Sequence, residues 1–98
     1  MSNAVTISHD GDSTSGTYTA RIDGIARPGV LTWRALGDVR VAEHTFVPPE
    51  ARGHGVAAKL VEALIADARE QGFRIVPQCS YVAVAFDRHP EWAELRAN

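Results

Sequence analysis

The chain has 98 residues, of which 45% are hydrophobic and 22% charged, and its formal net charge is −2. This length and composition are typical of one folded domain, and the small negative charge argues against a basic surface that binds nucleic acid. The single cysteine, Cys79, excludes an internal disulfide, and no apolar run approaches the ~20 residues of a membrane-spanning helix. We therefore expect residues 1–98 to form a single domain without nucleic-acid or membrane partners. Residues 1–4 lack the charged and apolar segments of a secretion signal, so a cytoplasmic location is expected.

Antiparallel strands are predicted in the first half of the chain. Residues 1–16 are rich in Ser, Thr, Asp and Gly, and we expect them to be partly loop, with a short edge strand near Val5 and a loop from His9 to Gly16. Beyond them, apolar residues alternate with polar ones, which predicts half-buried strands separated by turns of glycine beside aspartate. The predicted strands are 17–22, 30–36 and 39–47, which together form an antiparallel β-meander.

The last of these strands carries two candidate acid–base residues. Strict alternation places the side chains of Glu43 and His44 on opposite faces of the sheet, so only one of them can face a bound substrate. The same alternation places Val39 and Val41 on one face of the sheet and Ala42, His44 and Phe46 on the other.

A helical period follows in the second half. Apolar residues at steps of one and three predict an amphipathic helix from about Val56 to Gln71, with Gly72 as its C-cap. Residues 73–76 have strand character. Because a helix connects them to the strand 39–47, these two strands are expected to be parallel with a right-handed crossover.

The remaining residues predict short helical segments. Tyr81 to Phe86 is predicted as a short helix capped by Ser80, and residues 91–96 as a final helical turn or two. The expected fold class is therefore α+β, with an antiparallel β-meander followed by a strand–helix–strand crossover and a short C-terminal helix.

A glycine-rich loop precedes the long predicted helix. Gly53 and Gly55 let the backbone approach a ligand closely, and the first N–H groups of a helix lack partners within the helix. The helix dipole also favours an anion there, and Arg52 and Lys59 add positive charge nearby. The loop therefore predicts a phosphate site. The alternative is that the two glycines only turn the chain from strand into helix.

Three phosphate-binding patterns compete for this loop. A P-loop is excluded, because Ala58 and Leu60 stand where its second glycine and its hydroxyl residue belong. A dinucleotide fingerprint fits Gly53, Gly55 and Ala58, but no acidic residue for the ribose follows the strand 73–76. The third pattern is the Gln/Arg-x-x-Gly-x-Gly/Ala loop that binds acetyl-coenzyme A after an antiparallel meander, which is the topology predicted above.

Four segments together resemble the small, single-domain GNAT-like N-acetyltransferases. They are residues 44–57, the apolar stripe of the helix 56–71, residues 76–82 and residues 89–92. They cover roughly the second half of the chain with consistent spacing, and the meander fits the first half. Glu50 departs from the broad pattern, in which Gln or Arg stands at this position. The C-terminal strands that help to build the acceptor pocket of full-length members are missing.

The resemblance implies acetyl-CoA as the cosubstrate and an amine of unknown identity as the acceptor. It implies that the backbone of Phe46 and Val47 pairs with the pantetheine arm, and that the Val47 N–H stabilises the oxyanion. The residues that it implies around the pyrophosphate are Arg52, Gly53, His54, Gly55, Val56 and Ala57. No metal-ligand spacing recurs among the histidines, so no metal is expected.

Two residues are candidates for catalysis. His44 has a side chain whose ordinary pKa, near 6.5, suits a general base; the alternative is a hydrogen bond across the sheet. Cys79 is expected close to a helix start, which lowers a thiol pKa. It either accepts the acetyl group or protonates the leaving thiolate; the alternative is a small buried hydrophobe. Tyr81 is expected to pack in the core rather than act as an acid, and Trp33 and Trp92 are expected in the core as well.

The sequence therefore predicts an acetyl-CoA-dependent N-acetyltransferase, by resemblance. The alternative is a non-catalytic module that binds coenzyme A or another partner. A monomer or a weak homodimer is expected, because an edge of the meander stays exposed.

Overall fold

The computed structural model describes residues 4–97 of the chain. Residues 1–3, on which the expectations of a loop-rich start and of no secretion signal partly rest, lie outside the described residues. The structure contains one five-stranded sheet in the order β1-β2-β3-β4-β5. Its strands are β1 (Val5–Gly11), β2 (Ser15–Ile22), β3 (Gly29–Leu36), β4 (Val39–Phe46) and β5 (Arg74–Pro77).

The connections between these strands confirm the predicted fold class. Strands β1 to β4 pair antiparallel in sequence order, whereas β5 pairs parallel to β4. Helix α1 (Val56–Gln71) connects the parallel pair, and helix α2 (Ser80–Arg88) follows β5. Short 3₁₀ segments span Pro49–Ala51 and Pro90–Leu95. The protein is thus an α+β fold of a meander, a crossover and a short C-terminal helix, as the sequence predicts. None of the helices between residues 4 and 97 is long and apolar enough to cross a membrane.

The hydrophobic core lies between the helices and one face of the sheet. Tyr18, Leu31 and Trp33 from the strands are fully buried, as are Leu60 and Leu64 of α1. The apolar stripe of α1 provides these contacts, since residues three and four apart share one side of a helix. Buried residues of α2 and of the last 3₁₀ segment belong to the same cluster, which confirms that both tryptophans, Trp33 and Trp92, are core residues.

The opposite face of the sheet is left open by the described helices. Directly paired residues in antiparallel strands share a face, so Thr32 and its neighbours Thr17 and His44 alternate with the core residues and lie on this open face. Val41 also lies there and is buried, but it does not belong to the core cluster. The domain therefore has two layers, a sheet and the helices packed on one of its faces.

The expected loop from His9 to Gly16 is wrong, because β1 and β2 form a hairpin that pairs as far as Gly11 and Gly16. Only residues 12–14 connect the two strands. The Asp12 carboxylate accepts hydrogen bonds from the hydroxyl and the N–H of Thr14, both at 2.7 Å. Glycine is needed at position 16, since a Cβ there would lie 2.6 Å from the Trp33 ring nitrogen. The polar composition of this hairpin conceals its strands, because one side of the sheet is open to water.

The helix ends are partly as predicted. Gly72 is the C-cap of α1, with a left-handed φ of 81°. Helix α2 extends to Arg88, and its N-cap is Cys79 rather than Ser80. The Cys79 N–H donates to the carbonyl of Ala42 at 2.9 Å, which fixes the position of this cysteine beside β4.

Strict alternation along β4 is wrong, because a β-bulge interrupts it. Trp33 pairs with Ala42, and Thr32 pairs with His44, so Glu43 is the extra residue. Before the bulge, Ala42 lies on the helix face; after it, His44 lies on the open face. Glu43 forms an ion pair of 3.3 Å with Arg34, a residue of the open face. Glu43 and His44 therefore point to the same face, contrary to the expectation of opposite faces.

Candidate functional site

The site begins where β4 and β5 part. Their parallel pairing ends at Ala42 and Pro77, and proline has no N–H with which to continue the ladder. Among residues 4–97, no other strand pairs with this edge of β4 from the bulge to Phe46. The free backbone groups of the edge can accept an extended ligand as an added strand. The edge leads through Val47 into the glycine-rich loop.

The glycine-rich loop forms an open cradle at the start of α1. Gly53 has a φ of 90°, and Gly55 is the N-cap of the helix with a φ of 70°. A Cβ built on either glycine meets nothing within 4 Å, so free space borders the backbone at both positions. The first bond of α1 runs from the Lys59 N–H to the Gly55 carbonyl, which leaves the N–H groups of the first turn without partners in the helix.

A cleft of about 210 Å³ lies against this cradle. Its charge suits a diphosphate, because the first turn of α1 carries no acidic residue and the helix dipole is positive there. Phe46 and His54, which the resemblance also implies, do not line the cleft. The predicted residues that do line it are Val47, Arg52, Gly53, Gly55, Val56 and Ala57, joined by Ala51, Ala58 and Tyr81.

Two arginines set the charge around the loop. Arg27 forms a two-pronged ion pair with Glu50, with contacts of 2.9 and 3.1 Å. Hydrogen bonds from Arg27 lower the pKa of Glu50 to about 2. The carboxylate that departs from the family pattern is therefore neutralised. Arg52 donates from Nε to the Val47 carbonyl at 3.2 Å, which braces the loop against the end of β4 and keeps its terminal nitrogens available.

Cys79 is half-buried at the point where the strands part. Its Sγ lies 3.4 Å from the hydroxyl of Thr45, which the bulge turns toward the helix side. Burial raises the pKa of the Cys79 thiol, but hydrogen bonds from Thr45 and from the N–H groups of Val82 and Tyr81 outweigh it, and the pKa is lowered. This arrangement favours a reactive thiolate.

The structure brings only some of the predicted catalytic groups together. Cys79 and Thr45 meet on the helix side of β4, whereas His44 is exposed on the open face. Phe46 is also exposed there, at 45%. The contribution of Thr45 was missed by sequence analysis, since its partner lies 34 positions away and nothing local in the sequence indicates the contact.

Tyr81 does not pack in the core as expected. Its side chain is 43% exposed and lines the cleft of the glycine cradle. The second residue of α2 lies on the side of the helix that faces the start of α1, and an aromatic ring there bounds the cleft. The ring is therefore positioned to contact a ligand.

Comparison with protein families identifies the family to which the chain belongs. Residues 17–95 match a family described as GCN5-related N-acetyl-transferase. Within residues 4–97, no group of three or more His, Cys, Asp or Glu side chains could hold a metal ion. The matched region contains the strand edge, the cradle and the cysteine. The chain therefore belongs to the GCN5-related N-acetyl-transferase family.

Proposed function

We propose that the protein transfers the acetyl group of acetyl-CoA to an amine. The observation that carries this proposal is that three features adjoin one another: the Cys79 thiol with its lowered pKa, the unpaired edge of β4, and the cradle at Gly53 and Gly55. An elongated thioester with a diphosphate in its middle matches this order of groups. The free space at Gly53 and Gly55 is the specific point of fit, because a phosphate needs close contact with the backbone.

The backbone holds the ligand in this proposal. The N–H groups at the start of α1 bind the diphosphate, and Arg52 adds charge beside them. The edge at Phe46 and Val47 pairs with the amide groups of the pantetheine arm. The Val47 N–H stabilises the oxyanion that forms when the thioester carbonyl is attacked. The donor supplies the activated acetyl group.

In this proposal the two substrates approach β4 from opposite faces of the sheet. The thioester lies on the helix side with Cys79, while the amine approaches across the open face of the sheet. His44 lies on that face and accepts the proton that the amine loses on attack. A base and a thiol on opposite sides of one strand can thus act on the same carbonyl at its edge.

Cys79 acts as the nucleophile in the form of the reaction that we favour. Its thiolate attacks the acetyl carbonyl, the bond to the coenzyme A sulfur breaks, and coenzyme A leaves as a thiolate that takes a proton from water. The amine then attacks the acetyl-cysteine and regenerates the Cys79 thiolate, with His44 as the proton acceptor. The hydrogen bonds that lower the pKa of Cys79 support this role, because they stabilise the thiolate that attacks.

Calorimetry with acetyl-CoA and turnover with a panel of amines test the proposal. We expect binding by the unaltered protein and by Cys79→Ala, and acetylation of Cys79 by mass spectrometry when no acceptor is added. Turnover is expected to fall at least about 100-fold in Cys79→Ala and in His44→Ala. Unchanged turnover in both variants would show that the catalytic assignment is wrong. Binding without any turnover would favour a non-catalytic coenzyme A-binding module.

A further inference from the structure

An ion pair lies on the open face of the sheet at the point where β4 and β5 part. Nε of Arg34 lies 3.3 Å from the Glu43 carboxylate, and Nη2 donates to the side-chain oxygen of Gln78 at 3.4 Å. Gln78 follows β5, which pairs with β4 on the side away from β3. The side chain of Arg34 therefore crosses β4 above Val41, its paired residue, which is only 2% exposed. Its guanidinium thus lies at the gap between the strands, on the face opposite Cys79.

The charges of this ion pair are only partly engaged. Both contacts of Arg34 are longer than those of the two-pronged pair between Arg27 and Glu50, at 2.9 and 3.1 Å. Nη1 of Arg34 forms no hydrogen bond or ion pair with any of residues 4–97, and only Oε2 of Glu43 takes part in the pair. The two side chains are 45% and 28% exposed. An ion pair exposed to this degree contributes little to stability, so a ligand can replace either partner at little cost.

The proposed base lies next to this ion pair. The bulge places Glu43 and His44 consecutively on the open face, and His44 pairs with Thr32, two residues before Arg34 on β3. In the proposed function the amine crosses this face to reach the thioester, with His44 as its proton acceptor. An amine beside His44 therefore meets the carboxylate of Glu43 and the guanidinium of Arg34.

We infer that Glu43 and Arg34 select a free α-amino acid as the acceptor, with Glu43 holding its ammonium group and Arg34 its carboxylate. The inference rests on the proposed function, because it needs the acceptor on the open face beside His44. An α-amino acid carries its two charges on a single carbon atom, and the ion pair presents the complementary charges only 3.3 Å apart. A guanidinium can also bind a carboxylate through two parallel N–H groups.

Charge favours this acceptor over other amines. A diamine or polyamine would bring a second positive charge to Arg34, where like charges repel. A lysine side chain on a protein has no carboxylate beside its amino group. A simple amine could bind Glu43 but would leave Arg34 without a negative partner. A zwitterion provides a partner for both side chains.

Matched pairs of acceptors test the inference in the full chain with acetyl-CoA. Glycine, tyrosine and lysine are compared with methylamine, tyramine and cadaverine, which lack only the carboxylate. The unaltered protein is expected to acetylate the α-amino group of each amino acid with a higher kcat/KM than the matched amine. This preference is expected to fall about tenfold in Arg34→Gln, mainly through the KM of the amino acid, as for one charge-assisted pair in an exposed site. The change in the ratio is independent of the intrinsic reactivity of the two amines.

Two further variants separate charge recognition from structure. Glu43→Gln removes the partner of the ammonium group and is expected to lower kcat/KM for the simple amines about tenfold. Arg21→Gln removes a positive charge from the exposed surface of β2 and is expected to keep the full preference. A structural defect in Arg34→Gln would lower kcat/KM for both members of a pair and leave their ratio unchanged. Melting temperatures are measured alongside.

The other outcomes overturn the inference. If none of the three amino acids is acetylated, the inference is rejected, and acetylation of the simple amines would then leave the proposed function intact. A ratio that Arg34→Gln does not change, or that Arg21→Gln changes as much, would reject the role of Arg34. Unchanged kcat/KM for the simple amines in Glu43→Gln would reject the role of Glu43. If the protein neither binds acetyl-CoA nor acetylates any amine, the proposed function and the inference fail together.

Discussion

Replacing Gly55 with alanine tests whether the cradle binds the diphosphate. The new Cβ would occupy the free space beside the backbone, where a phosphate needs to approach. Loss of one hydrogen bond from an N–H group to a charged oxygen costs about 1.5–3 kcal/mol, so the Kd for acetyl-CoA is expected to rise about 10- to 150-fold. Isothermal titration calorimetry measures this change.

The same substitution also strains the backbone, and a matched variant separates the two effects. Gly55 has φ 70° and ψ 21°, and Gly72, at the other end of α1, has φ 81° and ψ 27°. A Cβ is unhindered at both positions. Each alanine is expected to cost roughly 1–2 kcal/mol of stability, because L-residues disfavour this region. Melting temperatures should therefore fall by a similar amount in both variants, about 4–8 °C per kcal/mol.

Only Gly55→Ala is expected to lose affinity. An equal loss of affinity in Gly55→Ala and Gly72→Ala would refute the cradle, because it would trace the effect to helix stability. Full affinity in Gly55→Ala would refute it as well, since the ligand would then not contact this part of the backbone.

Two further substitutions test the cysteine environment and the core. Thr45→Val removes a hydroxyl that lowers the pKa of Cys79, so this pKa should rise. Alkylation of Cys79 by iodoacetamide at pH 7 should then slow about two- to tenfold, which corresponds to the loss of a hydrogen bond of about 0.5–1.5 kcal/mol. An unchanged pH profile of alkylation would contradict this expectation. Leu60→Ala should lower the free energy of unfolding in urea by about 2–5 kcal/mol, because Leu60 is fully buried under the sheet. The exposed Leu36 provides the control, since Leu36→Ala should change the free energy of unfolding by at most about 0.5 kcal/mol. Similar losses of stability in Leu60→Ala and Leu36→Ala would argue against this packing.

The sequence predicts those elements whose pattern is set by nearby residues. The bounds of α1 follow from its apolar stripe and from Gly72, both of which act within a few residues along the chain. The glycine cradle is predicted for the same reason, because positive φ angles and unpaired N–H groups at a helix start are local properties. The hairpin of β1 and β2 is concealed, since an edge strand beside an open face needs few apolar residues.

The surroundings of Cys79 and His44 depend on long-range strand pairing and could not be predicted in this way. The bulge at Glu43 leaves no such local signal, because the buried residues before it, Val41 and Ala42, lie on opposite faces of the sheet as in a regular strand. The contact between Cys79 and Thr45 exists only because β5 lies beside β4 and because the bulge turns Thr45 inward. Such contacts follow from the register of the sheet, which the alternation of apolar and polar residues along one strand does not reveal.

The extra residue in β4 makes the face on which each later side chain lies depend on the register of the strand more than on its composition. If β4 kept Glu43 but paired with β3 as a regular ladder, every position that follows would change face. His44 and Phe46 would then turn toward the helices, and Thr45 would leave Cys79. Deleting Glu43 itself would leave these residues on their present faces, because Ala42 and His44 already pair with the adjacent residues Trp33 and Thr32. The bulge thus keeps the thiol and its hydroxyl partner on one side of the strand and the histidine on the other.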